Sequence, residues 1–161
     1  MRFRQEEGGY LIRLESGEEI INTLAKFVLD NNIPGGFFHG LGALDSASIG
    51  LYNYATRSYI TKVYKNKLDI AVMTGNIAYN DSGDAPVIHC HVTVSDSEQN
   101  TRAGHLFEGV VLVTVEIYLR VFQEKLYREK ELQDGHHLWR QRRRLDRRRR
   151  RCRPDIWRVR C

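Results

Sequence analysis

Apolar positions change their period several times before residue 122, and each change marks an element. Ile20, Ile21, Leu24, Phe27 and Val28 recur at helical spacing and predict one amphipathic helix. Glu18 and Glu19 stand at its start, where the helix dipole favours negative charge, and Asn31-Asn32-Ile33-Pro34-Gly35-Gly36 ends it. Elsewhere the period is two, or the run is rich in β-branched and aromatic residues. Residues 10–14, 37–44, 47–54, 56–65, 68–78, 87–94 and 110–122 therefore read as strands. Lys65-Asn66-Lys67 suggests a hairpin turn, residues 80–86 a loop, and Asp96-Ser97-Glu98-Gln99-Asn100 a reversal. One main helix and six or seven strands predict an α+β domain, the helix packed on a largely antiparallel sheet.

Composition adds a boundary. The net charge of +5 hides two opposite parts. Residues 1–134 carry 13 Lys and Arg against 18 Asp and Glu, a balance of −5; residues 135–161 carry 12 Arg and two Asp, a balance of +10. Residues 1–132 thus read as one domain and residues 133–161 as an arginine-rich tail, whose like charges repel and keep it disordered. An acidic body is not drawn to phosphates, whereas such a tail binds polyanions in a salt-sensitive way. Arg147, Arg148, Arg149, Arg150, Arg151 and Arg153 are its candidate nucleic-acid contacts. Arginine without lysine is also what a shifted reading frame through GC-rich codons would produce. No apolar run approaches about 20 residues, so no membrane span is expected. Cys90, Cys152 and Cys161 make no disulfide framework, which fits a cytoplasmic protein.

The chemistry concentrates in residues 87–116. Alternation on a strand puts His89 and His91 on one face, Cα atoms roughly 7 Å apart, with Cys90 on the other. His105 opens the next apolar run and returns to the same face if the two strands pair. Three neutral imidazoles suit Zn²⁺ or a similar divalent ion and leave a coordination position for water or a small ligand. The plainer alternative is that all three only pack or hydrogen-bond. Gly104 and Gly109 flank the third histidine and permit close backbone approach. Glu108, beside His105, is the stronger candidate for a partner or base; Glu116 reads as an exposed strand residue or as a carboxylate orienting a histidine. His39 lies in Phe37-Phe38-His39-Gly40-Leu41-Gly42-Ala43-Leu44 and reads first as structural, second as a fourth imidazole. That glycine-rich stretch lacks the Lys-Ser/Thr ending of a phosphate loop and suggests a β-bulge instead.

Ile88-His89-Cys90-His91-Val92, Gly104-His105-Leu106-Phe107-Glu108-Gly109 and Thr114-Val115-Glu116-Ile117 resemble the plant and prokaryote conserved (PPC) domain, known from AT-hook nuclear proteins. Gly17-Glu18-Glu19, Gly40-Leu41-Gly42-Ala43-Leu44 and Gly75-Asn76-Ile77 add to the resemblance, which spans residues 3–132 in the family's order. Ala103 departs from it, standing where the family usually has a first glycine. The resemblance implies the same α+β layout, a homotrimer, and a DNA-binding or transcription-associated role. Arg151-Cys152-Arg153-Pro154 resembles the Arg-Gly-Arg-Pro core of an AT-hook, with Cys152 in place of the glycine that lies deep in the minor groove.

Three functions compete. The first is a trimeric metal-binding PPC-like module with a small ligand or DNA as partner. The second is a three-histidine metalloenzyme with Glu108 or Glu116 as general base. The third is a structural trimer whose histidines bind nothing.

Overall fold

The computed structural model describes residues 1–130 and the backbone of residues 137–141. Among these residues one helix, α1 (Ile20–Asp30), stands among nine strands: β1 (Arg2–Glu6), β2 (Gly9–Glu15), β3 (Gly36–Asn53), β4 (Ser58–Tyr64), β5 (Leu68–Tyr79), β6 (Pro86–Ser95), β7 (Thr101–Val121), β8 (Leu126–Lys130) and β9 (His137–Gln141). The helical stripe behaves as its spacing predicts: Ile20, Leu24, Phe27 and Val28 are buried, each worth roughly 1.5–3 kcal/mol of removed apolar surface. Glu19 caps the helix. Its carboxylate accepts from the amides of Ile21 (3.1 Å) and Asn22 (2.7 Å), and also from Gly109 of β7 at 3.0 Å. One side chain thus satisfies two orphan helix donors and ties α1 to the sheet.

The sheet is built on β3 and β7, which pair antiparallel from Gly36↔Val121 to Gly50↔His105. Residues 37–44 and all but the last of 47–54 therefore belong to one strand. Register shifts between Gly40 and Ile49 bend it there, and Gly42 has φ +148°. A Cβ on Gly42 would meet the Thr114 carbonyl oxygen at 2.3 Å, so the bend requires glycine. The first half of β3 pairs with β5 and its second half with β4. β5 pairs with β6, and β6 returns to the start of β7, closing a circuit of β3, β5, β6 and β7. β2 lies on the other half of β7, and β1 forms a hairpin with β2. β8 joins through a single parallel bridge, Tyr79↔Tyr127.

The inner face carries Ile12, Leu14, Phe38, Met73, Ile77, Cys90, Val92, Val94, Ile117 and Leu119, all buried with the apolar face of α1. The outward row on β2, β7, β3 and β5 includes Leu11, Tyr118, His39 and Thr74, and it continues onto β6 as His91. The histidine motif therefore lies on the outer surface of a sheet whose other surface is the core. Among the described residues no helix is long and apolar enough to cross a membrane.

Candidate metal centre

The reversal between β6 and β7 sets the geometry of the histidines. The Asp96 carboxylate accepts from the amides of Glu98 and Asn100, both at 3.0 Å, and from Arg102 Nη1 at 2.8 Å. That wrapped turn pairs Ser95 with Thr101, and the same register carried back places His91 directly opposite His105. A slip of one residue would send His105 to the other face. Gly104 lets β3 lie close against β7 here, since a Cβ on it would meet the Gly50 carbonyl oxygen at 2.6 Å. Gly109 acts differently, through its amide hydrogen bond to Glu19.

His89, His91 and His105 converge. One ring nitrogen from each lies within 4.8 Å of the others, and the ring centroids are 5.1, 5.0 and 5.4 Å apart. A tetrahedral ion with Zn–N bonds of about 2.05 Å needs nitrogens about 3.3 Å apart, so the three rings would close by at most about 1.5 Å to hold one. His105 Nδ1 is buried without a hydrogen-bond partner, a condition that costs about 1–3 kcal/mol until a partner arrives. Burial first, then the charges of His91 and Arg128, push the His105 pKa down to about 4. The ring is neutral at pH 7, so its lone pair is available to an electrophile. Cys90 between the two β6 histidines points into the core, where burial and then Glu19 push its thiol up to about 12. It is an inert packing residue. The donor set fits a divalent ion.

Other side chains frame the cluster. Tyr59 of β4 lies 5.4 Å from the His105 ring and 4.9 Å from Phe107, itself 4.6 Å from His105. Arg128 of β8 donates from Nη2 to His89 Nδ1. Asn76 of β5 stands opposite His89, its Oδ1 buried without a partner. None of these three belongs to the motif. They come from three other strands and meet it only through register.

The carboxylates singled out from sequence lie elsewhere. Glu108 is exposed opposite Ser48 and lines a recess with Asp45, Ser48, Val63 and Lys65 that includes none of the histidines. Glu116 is exposed between Arg13 and Leu41, eleven residues along β7 from His105. His39 shares the row of His91 but with Thr74 between them, and its ring faces Tyr118 at 5.7 Å. Arg147, Arg148, Arg149, Arg150, Arg151 and Arg153 lie outside the described residues, as does most of the 133–161 tail.

The fold and the cluster define a class: an α+β protein whose outer sheet face carries three convergent imidazoles. The chain belongs to the Plants and Prokaryotes Conserved (PCC) domain family, whose model matches residues 1–123. Solved structures agree. A protein of Ralstonia eutropha JMP134, put forward as DNA-binding, is 30% identical with a TM-score of 0.79, covering 85% of this chain and 94% of that one. A metal-containing protein of Archaeoglobus fulgidus is 27% identical with a TM-score of 0.75, covering 87% and 97%. A plant- and prokaryote-conserved protein of Pyrococcus horikoshii is 27% identical with a TM-score of 0.74, covering 88% and 95%. A curated relative, the bifunctional protein GlmU of Synechococcus sp. (strain JA-3-3Ab), is 27% identical over 112 residues, but the match spans only 16% of that protein's length.

Proposed function

We propose that the protein is a metal-binding PPC-family module that holds a divalent ion, zinc by its all-imidazole donor set, on His89, His91 and His105. The observation that carries this reading is the convergence of three ring nitrogens within 4.8 Å, one of them buried and unpartnered. The metal-containing relative from Archaeoglobus fulgidus supports it. A bound divalent ion supplies a Lewis-acidic centre with a coordination position open to a small ligand. Elemental analysis of the chain truncated after Asp134 is expected to find close to one metal ion per chain, lost in the His89→Ala, His91→Ala double variant. Truncation removes His136 and His137, so that any metal they held is not counted. An absence of metal after reconstitution with Zn²⁺ would overturn the assignment.

The module is a homotrimer in this proposal. Leu11, Phe37, Leu41 and Val113 are exposed, Leu41 by 58% and Val113 by 63%, on the outer surface of β2, β3 and β7. An apolar sheet surface of this kind marks an interaction site, and closed rotational symmetry is the usual way a single chain covers one. Light scattering is expected to give three times the 18.8 kDa chain mass, falling to one chain on Leu41→Glu. A monomeric wild-type chain would remove the trimer from the reading.

DNA association is the second reading, favoured by the Ralstonia eutropha relative and by the +10 balance of residues 135–161. It resides in the arginine-rich segment, because residues 1–134 carry a balance of −5.

A further inference from the structure

We infer that the histidine site takes a small organic carboxylate, its carboxyl group held by the Arg128 guanidinium and its apolar body lying against Tyr59 and Phe107. This rests on the metal reading and names the class of ligand that the open coordination position receives.

The contact between Arg128 and His89 carries the argument. A guanidinium has donors and no lone pair, so His89 Nδ1 is the acceptor and the neutral ring keeps its single hydrogen on Nε2. A ring nitrogen engages a metal through a lone pair. His89 therefore binds an ion either through Nδ1, which Arg128 occupies, or through Nε2, which moves the ring hydrogen to Nδ1 and sets it against the guanidinium. In both cases Arg128 gives up this contact when the site loads. Its head is half-buried beside the histidines, and its planar fork matches a carboxylate through two parallel hydrogen bonds.

Three further observations select an anion with an organic body. Among the described residues the group that could hold a metal is three histidines with no Asp or Glu, so these ligands leave the charge of a dication uncompensated. The Arg128 guanidinium, set against His89, is positive as well. Beside them stand the aromatic rings of Tyr59 and Phe107, surfaces suited to an apolar ligand body rather than a bare inorganic ion. The buried Oδ1 of Asn76, opposite His89, adds an acceptor for a ligand O–H or N–H.

The test uses Co²⁺, whose visible absorption reports its own coordination, in the full chain, with the His89→Ala, His91→Ala variant as the blank for other cobalt sites. Benzoate, a carboxylate with an apolar body, is expected to shift the cobalt bands saturably. Arg128→Met is expected to raise the half-saturating benzoate concentration at least about tenfold, the size of one charge-assisted pair. Arg128→Lys falls between, since it keeps the charge and loses the fork. Cobalt uptake equal to wild type shows that each variant is folded. Equal half-saturation in the wild-type and Arg128→Met chains would overturn the inference, as would inorganic sulfate acting as well as benzoate. Wild-type bands that do not exceed the blank, seen before any anion is added, would overturn the metal reading itself and this inference with it.

Discussion

Zinc at 1,000 times its wild-type dissociation constant is expected to raise the melting temperature of the wild-type chain by about 10 °C and that of the His105→Ala chain by no more than about a third as much. An ion that binds only the folded state at that excess adds about 4 kcal/mol, and a chain of this length gains about 2–4 °C per kcal/mol. His105 is the informative position. It is the ring supplied by the second strand, so its loss leaves two imidazoles on β6 and opens the cluster. A residue that merely supports a metal ligand is worth about 10–100-fold in affinity, and a ligand itself is expected to cost at least about 100-fold. Acidity gives the same residue an independent signature in the metal-free chain. The folded pKa of His105, at about 4, lies below that of a histidine in the unfolded chain, about 6.5. Between those values the unfolded chain binds the extra proton, so stability is full above pH 6.5 and falls as pH drops towards 4. His105→Gln is expected to flatten that fall. Thermal melts in EDTA and in zinc, at pH 7.5 and pH 5, check both arms. A zinc shift of equal size in wild-type and His105→Ala chains would show that the ion binds somewhere else.

The alternation of His89, Cys90 and His91 was legible in the sequence because a strand has period two, and the core side of β6 is marked by Val92 and Val94 as well. The helix was legible for the same kind of reason, an unbroken stripe from Ile20 to Val28. Legibility declines where structure depends on partners. Residues 37–44 and 47–54 read as two strands because Asp45 and Ser46 interrupt the apolar run; β7 holds them as one, absorbing the interruption in register shifts. β1 carries Phe3 among Arg2, Arg4, Gln5 and Glu6, with no period to detect, and exists because the Glu7-Gly8 turn folds it onto β2. Gly8 has φ +76° there.

The site divides along the same line. Its three histidines lie in two adjacent strands joined by a short turn, so local pattern reaches them. Arg128, Tyr59 and Asn76 do not belong to that hairpin. Asn76 is placed by the β5–β6 register, Tyr59 by β4 packing its ring on Phe107, and Arg128 by a strand attached through one parallel bridge. No spacing rule links residues 59, 76, 89 and 128. Glu108 shows the converse. It is close to His105 in sequence, yet the register shift between Ser48 and Ile49 falls between the two residues, and Glu108 stands opposite Ser48 in the recess with Val63 and Lys65. Sequence proximity made it a candidate, and that irregularity sets it apart from the three imidazoles.

Removing residues 135–161 is expected to abolish retardation of a short DNA duplex that the full chain retards at low salt. Residues 1–134 repel phosphate on balance, while the 12 arginines of residues 135–161 face two aspartates. If about six of those arginines neutralise phosphates, log K falls against log salt with a slope of about −5, and raising salt from about 50 to 200 mM costs about 10³ in affinity. Contacts of this kind carry no base information, so duplexes of different sequence are expected to compete equally. The three outcomes distinguish the possible sources of binding. Loss on truncation with a steep salt slope assigns binding to the arginine run. Retardation that survives truncation assigns it to the folded sheet. Its outer face would then bind DNA despite the negative balance, and the exposed surface around Leu41 and Phe37 would be the region to vary next. A full chain that never retards DNA removes nucleic acid from the proposal and leaves the histidine site as the function to pursue. The metal experiments do not depend on which of these holds, because His89, His91 and His105 all lie within residues 1–123, the part that defines the family.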